Sequence, residues 1–167
     1  MDRPLDQTLL HLTRTRLLRD YPGQINECLD LLDEDQIWWR PHEQANAVAN
    51  LLLHLSGSNR YYLEQVIGGR DIARDRDEEF TIRGGYSSAE IREKWEESLR
   101  VTGEVLNSLD PFQMTQATDR TGKQTTYGQI LLHVTHHNAT HMGQIVWITK
   151  MLHPGGLDDI WMKQRGR

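Results

Sequence analysis

Residues 125–152 read TTYGQILLHVTHHNATHMGQIVWITKML. Thr125-Thr126 offers an N-cap at the start of this stretch, and His153-Pro154-Gly155-Gly156 ends it. Between them, apolar residues recur with the spacing of one helix face: Ile130, Val134, Ile145, Ile148 and Leu152. The stretch therefore predicts one long amphipathic helix with its apolar face turned toward a core.

Four of the chain's eight histidines lie within nine residues of this helix, in the run His133-Val-Thr-His136-His137-Asn-Ala-Thr-His141. At about 100° per residue, His133, His137 and His141 share a stripe about 80° wide, while His136 points away from it. The stripe continues the apolar seam, so His137 and His141 face the core. An imidazole without a partner is costly there, so these side chains need one.

A divalent metal ion would satisfy several of these imidazoles at once. Neutral imidazole is a good ligand for zinc, nickel, iron or copper, and two histidines one turn apart can aim their ring nitrogens at one point. A third ligand is expected from His54, which lies in Leu51-Leu-Leu-His54-Leu-Ser, an apolar stretch of another helix. The alternative is that the histidines hydrogen-bond to one another and to buried water.

Spacing alone leaves open which pair on the last helix binds the ion, His133 with His137 or His137 with His141. Residues 133 and 141 are about 12 Å apart along a helix axis, too far for both to bind one ion. One of them must therefore lie outside the ligand set, where it would line the cavity or orient a ligand. Asn138 and Gln144 are candidates for the same role. The remaining histidines are expected at the surface: His11, His42, His136 and His153.

Three other segments have helical periodicity, and no stretch alternates with period two for long enough to predict a sheet. These segments run from about Leu5 to Asp33, from about Gln44 to Ile67, and from Ser87 to about Asp110. Pro22-Gly23 should kink or break the first, and Ser87 with Glu90 has the spacing of a capping box for the third. The charged connection 70–86 is expected to be a surface loop. The sequence predicts an all-α, antiparallel four-helix bundle with long connections, the longest of which leaves room for a crossover.

Length and composition fit one folded domain spanning residues 1–167, with 37% apolar and 26% charged residues. A net charge of -5 gives no basic surface for nucleic acid. Cys28 is the only cysteine, which excludes an intrachain disulfide, favours a reducing cytoplasm, and fits a small core residue. No signal peptide and no membrane-spanning run is present in the sequence, so a soluble protein is expected.

Two histidine contexts resemble those of a known family. Leu53-His54-Leu55 and the run His133…His137…His141-Met-Gly-Gln144-Ile closely resemble the DinB-like superfamily of metal-binding four-helix bundles. Three further stretches resemble one bacterial branch of uncharacterised members, so that the resemblance spans nearly the whole chain: Trp38-Trp39-Arg40-Pro41, residues 75–80, and Tyr86-Ser87 with its capping box. The resemblance implies that His54, His137 and His141 are the metal ligands, which leaves His133 to line the cavity.

The resemblance also implies a chemistry. Other branches of the superfamily include thiol-dependent S-transferases and a mycothiol-dependent isomerase, which implies that the metal lowers the pKa of a thiol to give a nucleophilic thiolate. The expected function is therefore that of an enzyme dependent on zinc, nickel or iron, with thiol-dependent transfer to small electrophiles as the first candidate. A metal-dependent hydrolase and a non-enzymatic metal- or ligand-binding bundle are the alternatives. The H-E-x-x-H pattern is absent from the sequence, so proteolysis is not expected.

The expected partners are a small-molecule substrate, for which the resemblance suggests a low-molecular-weight thiol, and a second copy of the chain. Similar bundles often form homodimers through helix faces. Trp38, Trp39 and Trp161 could contribute to such a contact, or they could each pack within their own core. Nucleic acid and membranes are not expected as partners.

Overall fold

The computed structural model describes residues 4–157 and 159–160, and its fold is almost entirely helical. The α-helices are α1 (Leu5–Thr15), α2 (Tyr21–Leu29), α3 (Val48–Asn59), α4 (Arg76–Thr81), α5 (Ser88–Ser108) and α6 (Tyr127–Leu152). Short 3-10 turns cover Gln36–Trp38 and Pro111–Thr115. No helix among the described residues is long and apolar enough to cross a membrane. The predicted all-α class is confirmed.

One small sheet departs from the all-helical prediction. Strands β1 (Ala117–Thr118) and β2 (Thr125–Thr126) pair in antiparallel register, with Ala117 opposite Thr126 and Thr118 opposite Thr125. Two residues per strand are too few to display a period-two alternation, so the pattern in the sequence could not reveal this hairpin.

The first helical segment, in which Pro22-Gly23 was expected to cause a kink or a break, divides into two α-helices just before Pro22 but stays helical throughout. A π-helical turn, Arg16–Asp20, joins α1 to α2, and the backbone of Tyr21 is also helical. The Tyr21 N–H donates to the carbonyl of Arg16, five residues earlier. Pro22 is the second residue of α2, and a proline is tolerated in the first turn of a helix, so the chain stays helical there. A second π-helical segment, Arg60–Ile67, extends α3.

The helix starts predicted from capping residues are present. Ser87 and Glu90 form a capping box at the start of α5, and Thr126 and Gln129 form one at the start of α6. The connection 70–86 is different, because it contains α4 where a surface loop was expected. The Asp75 side chain accepts a hydrogen bond from the Glu78 amide and caps this helix. The charges of the segment suggested solvation, but Asp and Glu in a first turn also stabilise a helix N-terminus.

The core consists of two apolar clusters with a polar layer between them. The first cluster contains the N-terminal half of α3 and Met142 to Ile148 of α6, around the fully buried Trp95. The second contains Leu63 and Val66 after α3, and Tyr127 to Val134 of α6. Between the two lie pairs of polar residues on α3 and α6: Asn59 with Asn138, and His54 with His137.

Several residues singled out from the sequence contribute to this core. Cys28 is fully buried, and burial raises the pKa of its thiol to about 11, which fits the expected role as a core residue. Trp38 and Trp39 pack against the first cluster, and Trp38 Nε1 donates to the carbonyl of Tyr86. Trp161 lies outside the described residues.

Candidate metal centre

Three histidine side chains meet between α3 and α6. His54 Nε2 lies 3.0 Å from His137 Nε2, and His141 Nε2 lies 3.1 Å from the same atom. One ring nitrogen from each histidine falls within 4.8 Å of the others, so the three could hold a metal ion. His54 is only 5% exposed, and His137 and His141 are partly buried. The structure thus brings together the three residues that the resemblance indicates.

The outer nitrogens of two of these rings have oxygen partners. His54 Nδ1 lies 2.8 Å from Glu79 Oε2, and His141 Nδ1 lies 2.6 Å from Gln144 Oε1. A carboxylate or amide oxygen can only accept, so Nδ1 carries the hydrogen in both rings and Nε2 has a free lone pair. Both lone pairs face His137 Nε2.

His137 cannot donate a hydrogen bond to both of the lone pairs that face it. Its Nε2 can donate at most one hydrogen, and its Nδ1 is buried without a hydrogen-bond partner among the described residues. Hydrogen bonds among the histidines therefore leave at least one inward lone pair unpaired in a partly buried place. A cation among the three Nε2 atoms would satisfy all of them, so this donor set fits a divalent transition metal.

Burial keeps the rings of His137 and His141 neutral, as metal ligation requires. Burial lowers the pKa of His137 to about 3, with the neighbouring His141 and His54 adding to the effect. Burial also lowers the pKa of His141, against the opposing hydrogen bond to Gln144. Both rings therefore present a lone pair at neutral pH.

Glu79 on α4 orients His54, and Arg74 holds Glu79. Arg74 Nε and Nη2 donate to the two carboxylate oxygens at 2.6 and 2.8 Å. Burial raises the pKa of Glu79, but the hydrogen bonds from Arg74 and His54 outweigh it and hold the pKa below its usual range. An ionised Glu79 fixes the His54 tautomer and makes that ring a better ligand, as carboxylates behind metal-bound histidines commonly do. The Phe80 ring covers His54, with ring centroids 4.4 Å apart.

Gly57 makes room for this carboxylate, one helical turn after His54. A Cβ atom at position 57 would lie 2.1 Å from Glu79 Oε1 and 2.9 Å from Arg74 Nε. These distances are far below van der Waals contact, so any larger residue would displace the ion pair. The close approach of α4 to α3 thus depends on this glycine.

A family model covers residues 6–163 of the chain and is described as a protein of unknown function, DUF1572. The chain belongs to this family. The DUF1572 chain is also similar to the crystal structure of a DinB-like protein, YjoA, from Bacillus subtilis, with a TM-score of 0.64 and 16% sequence identity. The match covers 89% of this chain and 94% of that one, and it confirms the DinB-like fold. No curated protein matches the DUF1572 chain in sequence.

The other predicted site residues have separate places in the DUF1572 protein. His133 is exposed, and its ring lies 5.8 Å from that of His137, stacked beside it and outside the cluster of three. Gln144, proposed from the sequence as a residue that lines the site or orients a ligand, hydrogen-bonds His141 Nδ1. Asn138 is instead 1% exposed and hydrogen-bonds Asn59, so it bridges α3 and α6 rather than lining a cavity.

The histidines expected at the surface mostly lie there: His11, His42 and His136 are exposed. His153 departs from that expectation, because it is partly buried and its Nε2 lies 2.8 Å from Gln36 Oε1. It links the end of α6 to the 3-10 turn that follows α2.

The sequence did not identify Glu79 and Arg74 of the DUF1572 protein as site residues. A helix in this segment could have been inferred, since Asp75 and Glu78 have the spacing of an N-cap and its N3 residue. Nothing in the local pattern indicates that the helix packs beside His54. That contact depends on Asn50, whose Nδ2 donates at 3.0 Å to the carbonyls of both Glu79 and Ile82.

Proposed function

We propose that this protein is a metal-dependent enzyme whose single divalent ion is held by His54, His137 and His141. The observation that supports the proposal is the convergence of three Nε2 atoms whose lone pairs cannot all be satisfied by hydrogen bonds. Three protein ligands leave coordination positions for a substrate, as in catalytic zinc sites. A bound zinc, nickel or iron ion supplies Lewis acidity, which lowers the pKa of a thiol or of water.

The surrounding residues have positioning roles in this proposal. Glu79 holds the Nδ1 hydrogen of His54 and fixes the direction of its Nε2 atom, while Arg74 keeps Glu79 ionised. Gln144 does the same for His141. Phe80 covers one side of His54 and excludes water there. These contacts hold the ligand set in place before any ion arrives, which favours tight and selective binding.

Thiol-dependent S-transfer is the reaction we propose first. The sulfur of a small thiol forms a bond to an electrophilic carbon, the leaving group departs with the bonding electrons, and the thiol proton passes to solvent. The support is the DinB-like resemblance together with a ligand set of three residues, which leaves coordination positions for a thiol. A hydrolase would use water in place of the thiol, and a non-catalytic bundle would use the ion only to join α3 to α6.

Elemental analysis tests the site directly. Purified protein should contain about one equivalent of metal, and the triple variant His54→Ala, His137→Ala, His141→Ala should contain none. His136→Ala is the matched control, because it removes an exposed histidine from the same helix. Full metal content in the triple variant would overturn the assignment.

Turnover and melting of His137→Ala separate the enzyme from the non-catalytic alternative. If the protein is an enzyme, the metal-loaded parent should transfer a thiol to members of a panel of electrophiles, and the variant should not. A lower melting temperature in the variant, with no activity in the metal-loaded parent, would favour the non-catalytic bundle instead.

We also propose that the long helical segments form one antiparallel four-helix bundle domain. The segments are 5–29, 48–67, 88–108 and 127–152. In support, α3 packs against both α5 and α6, and α2 packs against α6. A homodimer stays a prediction, for which the exposed Trp147 and Met151 on the outer side of α6 are available.

A further inference from the structure

A cleft of about 610 Å³ lies beside the connection between α2 and α3, and we call it the arginine cleft. It is lined by Trp38, Arg40, Glu43 and Gln44 from that connection and by Arg83 from the segment after α4. The described residues that line it include none of the three histidines, so the cleft is separate from the candidate metal centre. Its volume falls in the range of sites that bind small molecules.

Arg40 is partly buried, and its charge has no partner in the described part of the chain. Its Nη1 atom is buried without a hydrogen bond there, and none of the ion pairs includes it. A charged N–H group that is removed from water and left without an acceptor costs free energy. Burial and the positive charge of Arg83 both lower the pKa of Arg40, but a guanidinium stays protonated at neutral pH. An anion beside Arg40 would therefore be stabilised.

Arg83 supplies a second guanidinium to the same cleft. Its Nη1 atom donates to the carbonyls of Phe80 at 2.7 Å and Ile82 at 3.1 Å. The Ile82 carbonyl also accepts from Asn50, so one edge of the Arg83 guanidinium is held against the end of α4 where α4 meets α3. The Nε and Nη2 atoms of Arg83 donate to no acceptor among the described residues. These two atoms are available to a ligand.

The arginine cleft is positively charged, although the whole chain has a net charge of -5. Glu43 is the one carboxylate among the described residues of its lining, and it is exposed and pairs with neither arginine. Two guanidinium groups in one cleft repel each other. One anion between Arg40 and Arg83 would offset that repulsion and give the buried Nη1 atom an acceptor.

A phosphate monoester fits this pair of arginines better than a carboxylate does. It carries nearly two negative charges at neutral pH and has three acceptor oxygens, so it can pair with both guanidinium groups at once. A carboxylate carries one charge and pairs edge-on with one guanidinium. Trp38 adds an apolar surface, and its position is fixed because Nε1 donates at 2.9 Å to the carbonyl of Tyr86.

We propose that the arginine cleft binds a small phosphate monoester, with Arg40 and Arg83 pairing with the phosphate group and Trp38 packing against the organic part. This site gives a role to the stretch Trp38-Trp39-Arg40-Pro41, which the metal centre does not use. The proposal goes beyond the proposed function and does not depend on it.

Isothermal titration of the purified protein with phenyl phosphate at pH 7.5 tests the proposal. Arg40→Gln should weaken binding about tenfold, because it removes a partly buried charged donor, and the exposed Arg83→Gln should weaken it about threefold. Glu43→Gln should strengthen binding about twofold, since it removes a negative charge from the lining. Lys123→Gln is the matched control, because it removes an exposed cation that lies outside the cleft, and it should leave the affinity unchanged.

Two comparisons identify the group that is bound and the place where it binds. Benzoate has a carboxylate in place of the phosphate and should bind at least about fivefold more weakly, so equal affinity would overturn the assignment to phosphate. Removal of metal with a chelator should leave the affinity for phenyl phosphate unchanged. Loss of binding on metal removal would place the anion at the metal ion and overturn the proposal.

The variants also separate the cleft from other binding sites. Because Arg83 is exposed, Arg83→Gln should fold even if Arg40→Gln does not. No binding of phenyl phosphate by the parent protein, or the parent's affinity in folded Arg83→Gln and Arg40→Gln, would overturn the proposal. A protein without metal at the histidines that still binds phenyl phosphate through the two arginines would overturn the proposed function alone.

Discussion

Glu79 and Gln144 have the same role for two different histidines. Each accepts the Nδ1 hydrogen of its ring, and each thereby directs an Nε2 lone pair toward His137. The two acceptors differ in charge and burial, because Glu79 is ionised, 8% exposed and held by Arg74, whereas Gln144 is neutral and exposed. The charged hydrogen bond is the stronger one. At the scale of single residues, His54 should therefore be the most firmly oriented of the three.

Replacement of Glu79 by glutamine tests this role. Glu79→Gln keeps the size of the side chain but removes the charge that binds Arg74 and strengthens His54 as a ligand. We expect metal affinity to fall about tenfold to a hundredfold, measured by competition with a chromophoric chelator. Glu78→Gln, an exposed neighbour in the same helix, should leave the affinity unchanged. Unchanged affinity in both Glu79→Gln and Glu79→Ala would rule out the positioning role.

At the scale of elements, the site depends on how closely α4 approaches α3. Gly57 leaves the space into which the Glu79 carboxylate fits, and Asn50 binds the backbone of α4 at Glu79 and Ile82. Both residues lie on α3, on either side of His54. The same helix thus supplies a ligand and the surface that positions its orienting carboxylate.

A double-mutant cycle tests the close packing of α4 against α3. Gly57→Ala should destabilise the protein by about 1–3 kcal/mol in urea unfolding, because its Cβ collides with Glu79. In the Glu79→Ala background the carboxylate is gone, and Arg74, whose Nε lies 2.9 Å from the same Cβ, has lost the partner that holds it there. The same change should therefore stabilise by about 0.5–1 kcal/mol through helix propensity. Gly103→Ala is the control, because the nearest atom to a Cβ there is 3.8 Å away in Leu18. Equal effects of Gly57→Ala in both backgrounds would contradict the close approach.

The sequence predicted those elements that have a signature in their own stretch of sequence. A capping box located the start of α5, an N-cap threonine located the start of α6, and the histidine stripe located the face of α6 that meets His54. It missed α4 as a site element because the contact between Glu79 and His54 joins residues 25 positions apart through tertiary packing. It predicted an irregularity at Pro22 but not its form, since a π-helical turn depends on the packing of the whole segment rather than on one residue.

At the scale of the whole molecule, the histidines lie between two apolar clusters. On α6, Tyr127 to Val134 belong to one cluster and Met142 to Ile148 to the other, with His137 and His141 between them. Charging an imidazole in this layer places an ion between two apolar regions that together stabilise the fold. The stability of the metal-free protein should therefore depend on pH.

The sign of that dependence follows from His137. Its pKa is about 3 in the folded protein and about 6.5 when unfolded, so between these values the unfolded state binds more protons. Stability that is fully present above pH 6.5 is then lost as the pH falls toward 3, at no more than about 1.4 kcal/mol per pH unit for one proton. Urea unfolding of chelator-treated protein between pH 7.5 and 4.5 measures the slope.

Two variants isolate the contribution of His137. His137→Gln should unfold with a shallower pH dependence than the parent, whereas the exposed His136→Gln should keep the parent slope. If His137→Gln and the parent lost stability equally across this range, the group responsible would lie elsewhere.

The contact between His54 and His137 joins positions 83 residues apart. Contacts at such separation require closure of a long loop, so they form after local helices have formed. During synthesis, α3 leaves the ribosome well before α6, and a nascent chain at that stage presents His54 alone. A single histidine binds a transition metal weakly, so the proposed ion would bind only after α6 has been made and has packed against α3.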